Sequence, residues 1–341
     1  MSSIFEGKTV LITGGTGSIG KELARKILRH NPKAIRIFDN NEAAEFEMEA
    51  EFASDRLRLL LGDVRDKDRL DFAMEGVDIV FHLAAMKHVY LSEYNPFETI
   101  KTNIHGMQNL IEICLKHNVE KVVFTSSDKA VNPCSVMGAT KLLAERLISS
   151  ANYYKGKRRT TLSSVRFGNV MNSRGSLIPA IGEQVKTGSF VTITDDRMTR
   201  FIMFPDQAVS LIIKAAEIMV GGEVFVLKMP TLKIRDLIEV IVEKAAPKHG
   251  KRPADIEMKR IGPRPGEKLY EELLTEREKS MSLETDDMYI LLPEIEDLLK
   301  SYSYSYPGSR KAGPGDYNSS DSRHLSKKEI GDLLLKEGML A

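Results

Sequence analysis

Short apolar runs alternate with helical patterns through the first half of this chain, and this rhythm restricts the fold more than any other feature. Six runs lie at 9–13, 34–38, 58–61, 78–83, 121–125 and 161–166, and the longer helical patterns between them cover about 96–116 and about 135–150. Buried runs that alternate with helices are typical of a parallel sheet covered on both faces. We therefore predict an α/β fold with a doubly wound parallel sheet, whose ligands bind outside the carboxyl ends of the strands.

The rhythm changes in the second half of the chain. Residues 167–200 are rich in glycine and polar residues, and a helix, a strand and a helix are predicted at about 205–219, 224–227 and 233–245. We predict a dinucleotide-binding domain over residues 1–170, to which elements at about 205–228 return, and a smaller substrate-binding lobe mostly within 171–300. Residues 301–341 are polar, rich in turn residues and end in a short helix, so they form either a flexible tail or an oligomerisation arm that orders on a neighbouring subunit.

Composition and charge exclude several classes of protein. The net charge of +1 provides no field that would attract nucleic acid or an acidic membrane, and no apolar run is long enough to span a bilayer. The N-terminus has no signal-peptide pattern, and the two cysteines, Cys114 and Cys134, form no disulfide framework, so we expect a cytoplasmic protein. Cys134 has no nearby histidine or acid to activate it and is better interpreted as a small residue beside a proline turn. We name no metal ligands.

A glycine-rich loop joins the first strand to the first helix. Its sequence from residue 14 to residue 20 is Gly-Gly-Thr-Gly-Ser-Ile-Gly. Glycines let the backbone approach a pyrophosphate, and the helix N-terminus supplies N–H donors. The loop therefore predicts a Rossmann-like dinucleotide site, with Gly14, Thr16, Gly17, Ser18, Ile19 and Gly20 as cofactor-binding residues.

Acidic residues after the second and third strands bear on cofactor choice. Asp39 can accept hydrogen bonds from an adenosine 2′-hydroxyl and would repel a 2′-phosphate. Its neighbour Asn40 is also expected to contact the cofactor, and no arginine stands beside it, which favours NAD over NADP. Asp63 and Val64 either meet the adenine edge or belong to a cap for the next helix, and the sequence leaves both interpretations open.

The most distinctive chemistry lies between residues 125 and 141. An acid, Asp128, and an adjacent amine, Lys129, follow the fifth strand directly. Met137 and Lys141 stand one helical turn apart and so face the same way. The Asp-Lys pair is interpreted as an acid and base, with a surface ion pair as the alternative.

These motifs resemble the extended short-chain dehydrogenase/reductase superfamily, and within it the UDP-N-acetylglucosamine 4,6-dehydratases of polysaccharide and glycan biosynthesis. Besides the glycine loop, the resemblance rests on the segments 82–89, 95–103, 127–133, 137–141, 166–170, 173–176, 198–201 and 264–268. Met137 departs from the Tyr-x-x-x-Lys pattern that is usual in the superfamily, and some 4,6-dehydratases of this group share that departure.

The resemblance implies a role for each motif. Lys141 would hydrogen-bond the nicotinamide ribose. The remaining cofactor-lining residues would be Ala84, Ala85, Lys87, Ser126, Ser127 and Val170. The residues that bind a UDP-sugar would be Lys87, Asn169, Arg174, Ser176, Arg200, Arg264 and Glu267. Arginine suits a diphosphate because its planar fork makes bidentate, charge-assisted bonds.

The resemblance also implies a reaction and a homo-oligomer. A hydride would leave C4 of UDP-N-acetylglucosamine for tightly bound NAD or NADP and return to C6 after water is lost. Lys129, held neutral by burial and nearby positive charge, would remove the C5 proton, and Asp128 would protonate the leaving hydroxyl. Two alternatives stay open, namely a UDP-sugar 4-epimerase and a non-catalytic dinucleotide-binding sensor or scaffold. The base for the C4 hydroxyl also stays open, because Met137 cannot transfer a proton.

Overall fold

The alternation of strands and helices in the first half is confirmed by the computed structural model, which describes residues 3–171 and 177–339. The strands of this half are β1 (Thr9–Thr13), β2 (Ala34–Asp39), β3 (Leu57–Leu61), β4 (Ile79–His82), β5 (Lys121–Ser127) and β6 (Thr161–Phe167). The helices are α1 (Ser18–Leu28), α2 (Glu42–Phe52), α3 (Lys67–Met74), α4 (Val89–Tyr94), α5 (Pro96–Ile100), α6 (Gly106–Lys116) and α7 (Val136–Tyr154).

The second half contains shorter elements. Its strands are β7 (Asn169–Val170), β8 (Phe190–Ile193), β9 (Thr199–Met203), β10 (Val224–Leu227), β11 (Thr231–Lys233), β12 (Glu257–Arg260), β13 (Glu272–Leu274), β14 (Ser282–Glu284), β15 (Met288–Leu291), β16 (Arg310–Lys311) and β17 (Tyr317–Asn318). Its helices are α8 (Leu177–Thr187), α9 (Pro205–Ile218), α10 (Ile234–Ala245), α11 (Glu276–Ser280), α12 (Glu296–Ser301) and α13 (Lys327–Lys336).

The central sheet has the order β16-β14-β15-β10-β6-β5-β4-β1-β2-β3. The strands from β10 to β3 run parallel, whereas β14, β15 and β16 add antiparallel at one edge. Strand β10 pairs with β6 in this sheet, and the sheet extends further along the chain, to residue 311. The order reverses between β1 and β4, which is where a doubly wound sheet opens a crevice for a ligand.

Side chains that alternate along the strands fill both faces of the sheet. Val10 and Ile12 of β1 belong to one buried apolar cluster, and Leu11 belongs to the cluster on the opposite face. A third cluster fills the smaller lobe between α8, α10 and α13. Two layers of helices thus fix the sheet on which the site is built.

The long helix predicted at 96–116 is interrupted by one turn of π-helix at Lys101–His105. Asn103 lies in that turn and is buried. Its amide group accepts from the backbone N–H of Met86 at 2.8 Å, and donates to the Met86 carbonyl at 3.1 Å and to the Thr140 hydroxyl at 3.0 Å. The wider turn directs Asn103 to the segment after β4, and π-turns of this kind are frequent at functional sites.

The segment after residue 301 is ordered on its own chain, an arrangement that neither interpretation of the sequence included. The hydroxyl of Tyr304 donates to the Gly221 carbonyl at 2.7 Å, and the Tyr306 hydroxyl donates to the buried carboxylate of Glu223 at 2.6 Å. Strand β17 pairs with β13, and α13 packs on α10. The tyrosines therefore anchor the segment to this subunit.

Candidate active site

The glycine loop is packed too closely for a side chain at two positions, one against the end of β4 and one within the loop itself. Gly14 has a φ of +67°, and a Cβ added there would lie 2.7 Å from the backbone nitrogen of Ala84. A Cβ on Gly20 would lie 2.5 Å from the Gly15 carbonyl oxygen. Only glycine permits this approach, which brings the backbone amides at the start of α1 to the crevice.

Asp39 is held in place by the glycine loop. Its Oδ2 accepts from the Thr16 amide at 3.1 Å and from the Thr16 hydroxyl at 2.8 Å, and its Oδ1 accepts from the Asn41 amide at 3.2 Å. Buried Glu45 adds a second acid, whose pKa is raised to about 7 by burial and by the charge of Asp39. The loop, the helix start and the acid at the end of β2 fit a nicotinamide dinucleotide.

Asp63 does not cap the next helix. The N-cap of α3 is Asp66, whose side chain accepts from the Arg69 amide. Asp63 instead accepts from the amide and the guanidinium of Arg65, and Asn40 reaches it at 3.4 Å. The capping interpretation is therefore wrong, and the adenine-edge interpretation stays a prediction.

The Asp-Lys pair lies at the carboxyl end of β5, with Asp128 buried and Lys129 partly buried. Asp128 is fully buried, and the Lys129 ammonium donates to its Oδ1 at 2.9 Å. The Ser127 hydroxyl donates to the same oxygen at 2.6 Å. Asp128 Oδ2 has no hydrogen-bond partner among the described residues. Burial of this kind contradicts the interpretation as a surface ion pair.

Two further charged groups complete this cluster. Lys129 Nζ lies 3.5 Å from Oε1 of Glu271, and Arg200 Nε lies 3.6 Å from the same oxygen. Glu271 is buried and was not identified from the sequence, whereas Arg200 was predicted as a substrate-binding residue. Four charged groups of alternating sign thus meet around one site, which we name the Asp128–Glu271 cluster: Asp128, Lys129, Arg200 and Glu271.

The structure reverses one expectation about Lys129. Burial opposes its charge, but the carboxylates of Asp128 and Glu271 outweigh burial and the nearby Arg200, so the pKa of Lys129 is raised. The two negative charges beside Lys129 thus outweigh the nearby positive charge that the sequence suggested. In this state the amine holds its proton, and a base role requires that proton to move.

Lys141 and Met137 lie side by side on α7, as the spacing predicted. Lys141 Nζ donates to the Thr125 carbonyl at 2.9 Å and lies 4.7 Å from the centroid of the Phe124 ring. Burial lowers the pKa of Lys141 to about 8. Met137 is buried. The buried Ser126 hydroxyl, at the end of β5, has no partner among the described residues.

The other predicted site residues that the structure describes lie after β4, in β7 and in the loop at 262–268. Ala84, Ala85 and Lys87 follow β4 next to the glycine loop, and Asn169 and Val170 form β7 beside β9. Glu267 accepts from the backbone amide of Arg264 at 3.0 Å, so it shapes its own loop, while the Arg264 side chain is exposed. Arg174 and Ser176 lie outside the described residues.

The loop at 262–268 covers the Asp128–Glu271 cluster on one side. Gly266 packs against Val89 and Ser135, and its carbonyl lies 3.4 Å from the exposed Cys134 sulfur. The space that Lys129 and Glu271 share with this loop is about 10 Å³, the size for a single water. A sugar does not fit on this side. A larger cavity of about 390 Å³ lies on the smaller lobe and is lined by none of the predicted site residues.

The fold and this site define an extended short-chain dehydrogenase/reductase. The chain belongs to the family described as polysaccharide biosynthesis protein, whose model matches residues 10–293. The resemblance inferred from the motifs is therefore confirmed.

Similar proteins cover almost the whole chain. The chain is 40% identical to a UDP-N-acetylglucosamine 4,6-dehydratase (inverting) of Campylobacter jejuni, over 97% of this chain and 98% of the relative. It is 37% identical to a UDP-glucose 4-epimerase of Rickettsia canadensis, over 97% and 96% respectively. The crystal structure of Pen from Bacillus thuringiensis superposes with a TM-score of 0.92 at 45% identity, covering 98% of this chain and 99% of that one. Relatives of named activity are thus nucleotide-sugar dehydratases and epimerases.

One relative has a name that suggests a membrane protein. An uncharacterized membrane protein of Methanocaldococcus jannaschii is 55% identical over 98% of this chain and 97% of its own length. Within residues 3–171 and 177–339, none of the helices combines the length and the apolarity that crossing a bilayer requires.

Proposed function

We propose that this protein is a lyase that removes water from UDP-N-acetylglucosamine across C5 and C6, giving a UDP-2-acetamido-2,6-dideoxy-4-hexulose. The observation that carries the proposal is the ion pair of buried Asp128 with partly buried Lys129 at the end of β5, with Met137 in place of a tyrosine. Loss of water needs an acid and a base at adjacent carbons, and this pair provides both. The Campylobacter jejuni relative supports the same substrate.

The cofactor in this proposal is NAD, bound by the glycine loop and by Asp39. Gly14, Gly17 and the first amides of α1 would hold the pyrophosphate. Asp39 would accept from the ribose, and Lys141 would donate to the nicotinamide ribose. When bound, the nicotinamide supplies the chemistry of accepting a hydride from C4 and returning it to C6.

The acid and the base in this proposal come from one ion pair. The Lys129 ammonium donates to Asp128 at 2.9 Å, so its proton can pass along that hydrogen bond once the sugar excludes water. The transfer leaves a neutral amine, which removes the C5 proton, and a carboxylic acid, which protonates the departing C6 hydroxyl. The transfer within the pair needs no net loss of protons, so it is compatible with the raised pKa of Lys129 in the free protein. The Lys129 ammonium formed at C5 then returns a proton to C5 when the hydride reaches C6, and one proton, equal to the one that the C4 hydroxyl releases, restores the pair.

Arginines in this proposal bind the nucleotide diphosphate. Arg200 and Arg264 lie in β9 and in the loop at 262–268, and Arg200 already borders the cluster. Bidentate bonds from the exposed Arg264 to phosphate oxygens would fix the sugar relative to Lys129. Arg200, whose guanidinium already donates to backbone carbonyls, would contribute its positive charge. Lys87 and Asn169 would contact the sugar from the ends of their strands.

A UDP-sugar 4-epimerase is the second candidate, favoured by the Rickettsia canadensis relative. That reaction moves a hydride from C4 and back to its other face, and it needs no base for C5. It also commonly uses the tyrosine that Met137 replaces. The Asp128–Lys129 pair has a task in dehydration and none in epimerisation.

The test is to incubate the purified protein with UDP-N-acetylglucosamine and to record the mass and stereochemistry of the product. A product that has lost one water supports the dehydratase. Unchanged mass with inverted C4 identifies an epimerase, and unchanged substrate contradicts both.

A further inference from the structure

Glu271 is a buried carboxylate that the proposed acid and base do not use. Its Oε1 faces Lys129 at 3.5 Å and Arg200 at 3.6 Å, and its Oε2 has no hydrogen-bond partner among the described residues. A buried carboxylate oxygen without a hydrogen-bond partner costs free energy, so the position of Glu271 beside Lys129 needs an explanation.

The chain holds Glu271 there with the C-terminal segment. The Glu271 amide donates to the Ser319 hydroxyl at 2.9 Å, and the Ser319 amide donates to the Glu271 carbonyl at 2.8 Å. The same hydroxyl lies 2.8 Å from that of Thr199, the residue before Arg200. One buried serine therefore fixes the backbones that carry both Glu271 and Arg200.

We propose that Glu271 is a positioning residue of the active site, whose negative charge determines how readily Lys129 gives up its proton. The inference deepens the proposed function, because it assigns a control to the base of that reaction. A carboxylate at 3.5 Å stabilises the ammonium form, and protonation of Glu271 removes that stabilisation.

Every charged group facing Glu271 acts in a defined direction. Lys129, Arg200 and Lys268 favour its carboxylate, while Asp128 disfavours it. Burial is the largest influence and raises the pKa of Glu271, so a closed, water-free site favours the neutral acid. Exclusion of water lets the Lys129 proton move to Asp128. Because it also favours the neutral form of Glu271, it weakens the stabilisation of the Lys129 ammonium by Glu271.

The test measures the amine of Lys129 directly. Trace acetylation with acetic anhydride at a series of pH values, read by mass spectrometry of the peptide containing Lys129, gives the midpoint at which this amine loses its proton. In Glu271→Gln the negative charge is gone and the shape is kept. The midpoint should fall by at least about 1 pH unit, which is the usual effect of removing an opposite charge at this distance.

Two further variants provide a control and a second test of the same electrostatics. Glu272→Gln removes the next carboxylate, which lies 3.6 Å from Lys268, and should leave the Lys129 midpoint unchanged. Arg200→Gln removes a positive charge that lowers the pKa of Lys129 and should raise the midpoint, so it tests the same electrostatics if Glu271→Gln does not fold. An unchanged midpoint in folded Glu271→Gln, or no rise in Arg200→Gln, overturns the inference.

The labelling needs no turnover, so it separates the inference from the proposed function. If wild-type protein fails to dehydrate UDP-N-acetylglucosamine, the proposed function fails whatever the labelling shows. If the wild type dehydrates the substrate and the Lys129 midpoint is unchanged in Glu271→Gln, only the inference fails. If the wild type dehydrates the substrate and the midpoint falls in Glu271→Gln, the pH–rate profile gives a further check. The part of that profile that reflects ionisation of Lys129 should shift to lower pH in Glu271→Gln, a shift that a purely structural role would not cause.

Discussion

Ser319, near the C-terminus, forms two hydrogen bonds with Glu271, one from each backbone amide. Glu271 in turn borders Lys129. The C-terminal segment is therefore part of the active-site framework, and its removal or loosening should affect the chemistry as well as the stability.

Ser319→Ala should lower the free energy of unfolding by about 1–3 kcal/mol, because it leaves the buried Glu271 amide without its acceptor. Urea unfolding followed by circular dichroism measures the change. Ser301→Ala is the matched control, since that exposed hydroxyl bonds only within its helix, and it should change stability by less than about 0.5 kcal/mol. Equal effects of the two substitutions would contradict the framework role.

The bound nucleotide should be NAD. Buried Glu45, whose pKa is raised to about 7 by burial and by Asp39, is a second acid nearby, and Thr16 fixes the Asp39 carboxylate at the end of β2, where its negative charge would face the ribose. A 2′-phosphate would meet this negative charge. The nucleotide released by denaturing the purified protein can be identified by mass. Asn40→Arg should shift the preference toward NADP, and recovery of NADP from the wild type would refute the assignment.

Met137→Leu should keep nearly full activity, because a methionine side chain shapes the pocket and transfers no proton. Met137→Ala should also keep more activity than loss of an acid or base allows, so its rate should fall less than about 10²-fold. It should unfold more easily, by about 2–5 kcal/mol, since Met137 is buried. Steady-state rates and urea unfolding measure the two effects. Loss of turnover in Met137→Leu would show that the sulfur has a chemical role.

The protein should form a homo-oligomer through α4 to α7. Large apolar side chains on this face are exposed, among them Leu91 at 51%, Tyr94 at 70%, Phe97 at 76% and Leu143 at 48%. Exposed apolar patches of this kind mark association surfaces. Sedimentation at micromolar concentration should show more than one subunit, and Phe97→Ser should weaken association. A strictly monomeric wild type would contradict the prediction.

The sequence predicted the parts of the site that are local in the chain. The glycine loop and the Asp128–Lys129 pair directly follow β1 and β5, and Asp39 is the last residue of β2, so period and spacing were sufficient to predict their places at the strand ends. Glu271 is 142 residues from Lys129 along the chain, and no pattern around it marks it as buried. The packing of β13 against the turn at 128–130 and its pairing with β17 bring it to the cluster.

Two further features depended on tertiary structure. The pKa of Lys129 is raised by Asp128, its neighbour in the chain, and then by Glu271, and the sequence alone, which did not place Glu271 there, gave the opposite direction. The segment 95–103 was part of the family resemblance, yet the contact of Asn103 with Met86 required the π-turn. Order in the C-terminal segment likewise comes from partners such as Glu223, far away in sequence.

The most direct test of the account is the reaction of UDP-N-acetylglucosamine with wild type and Lys129→Ala in deuterated water, followed by mass and proton NMR of the product. Asp128→Asn serves as the matched loss of the acid, and retained bound nucleotide shows that the variants fold. Wild type should yield the dehydrated sugar with deuterium at C5, and both variants should be slower by at least about 10²–10⁴-fold. Dehydration by Lys129→Ala at a rate near that of wild type would contradict the assignment of the base and with it the proposed mechanism.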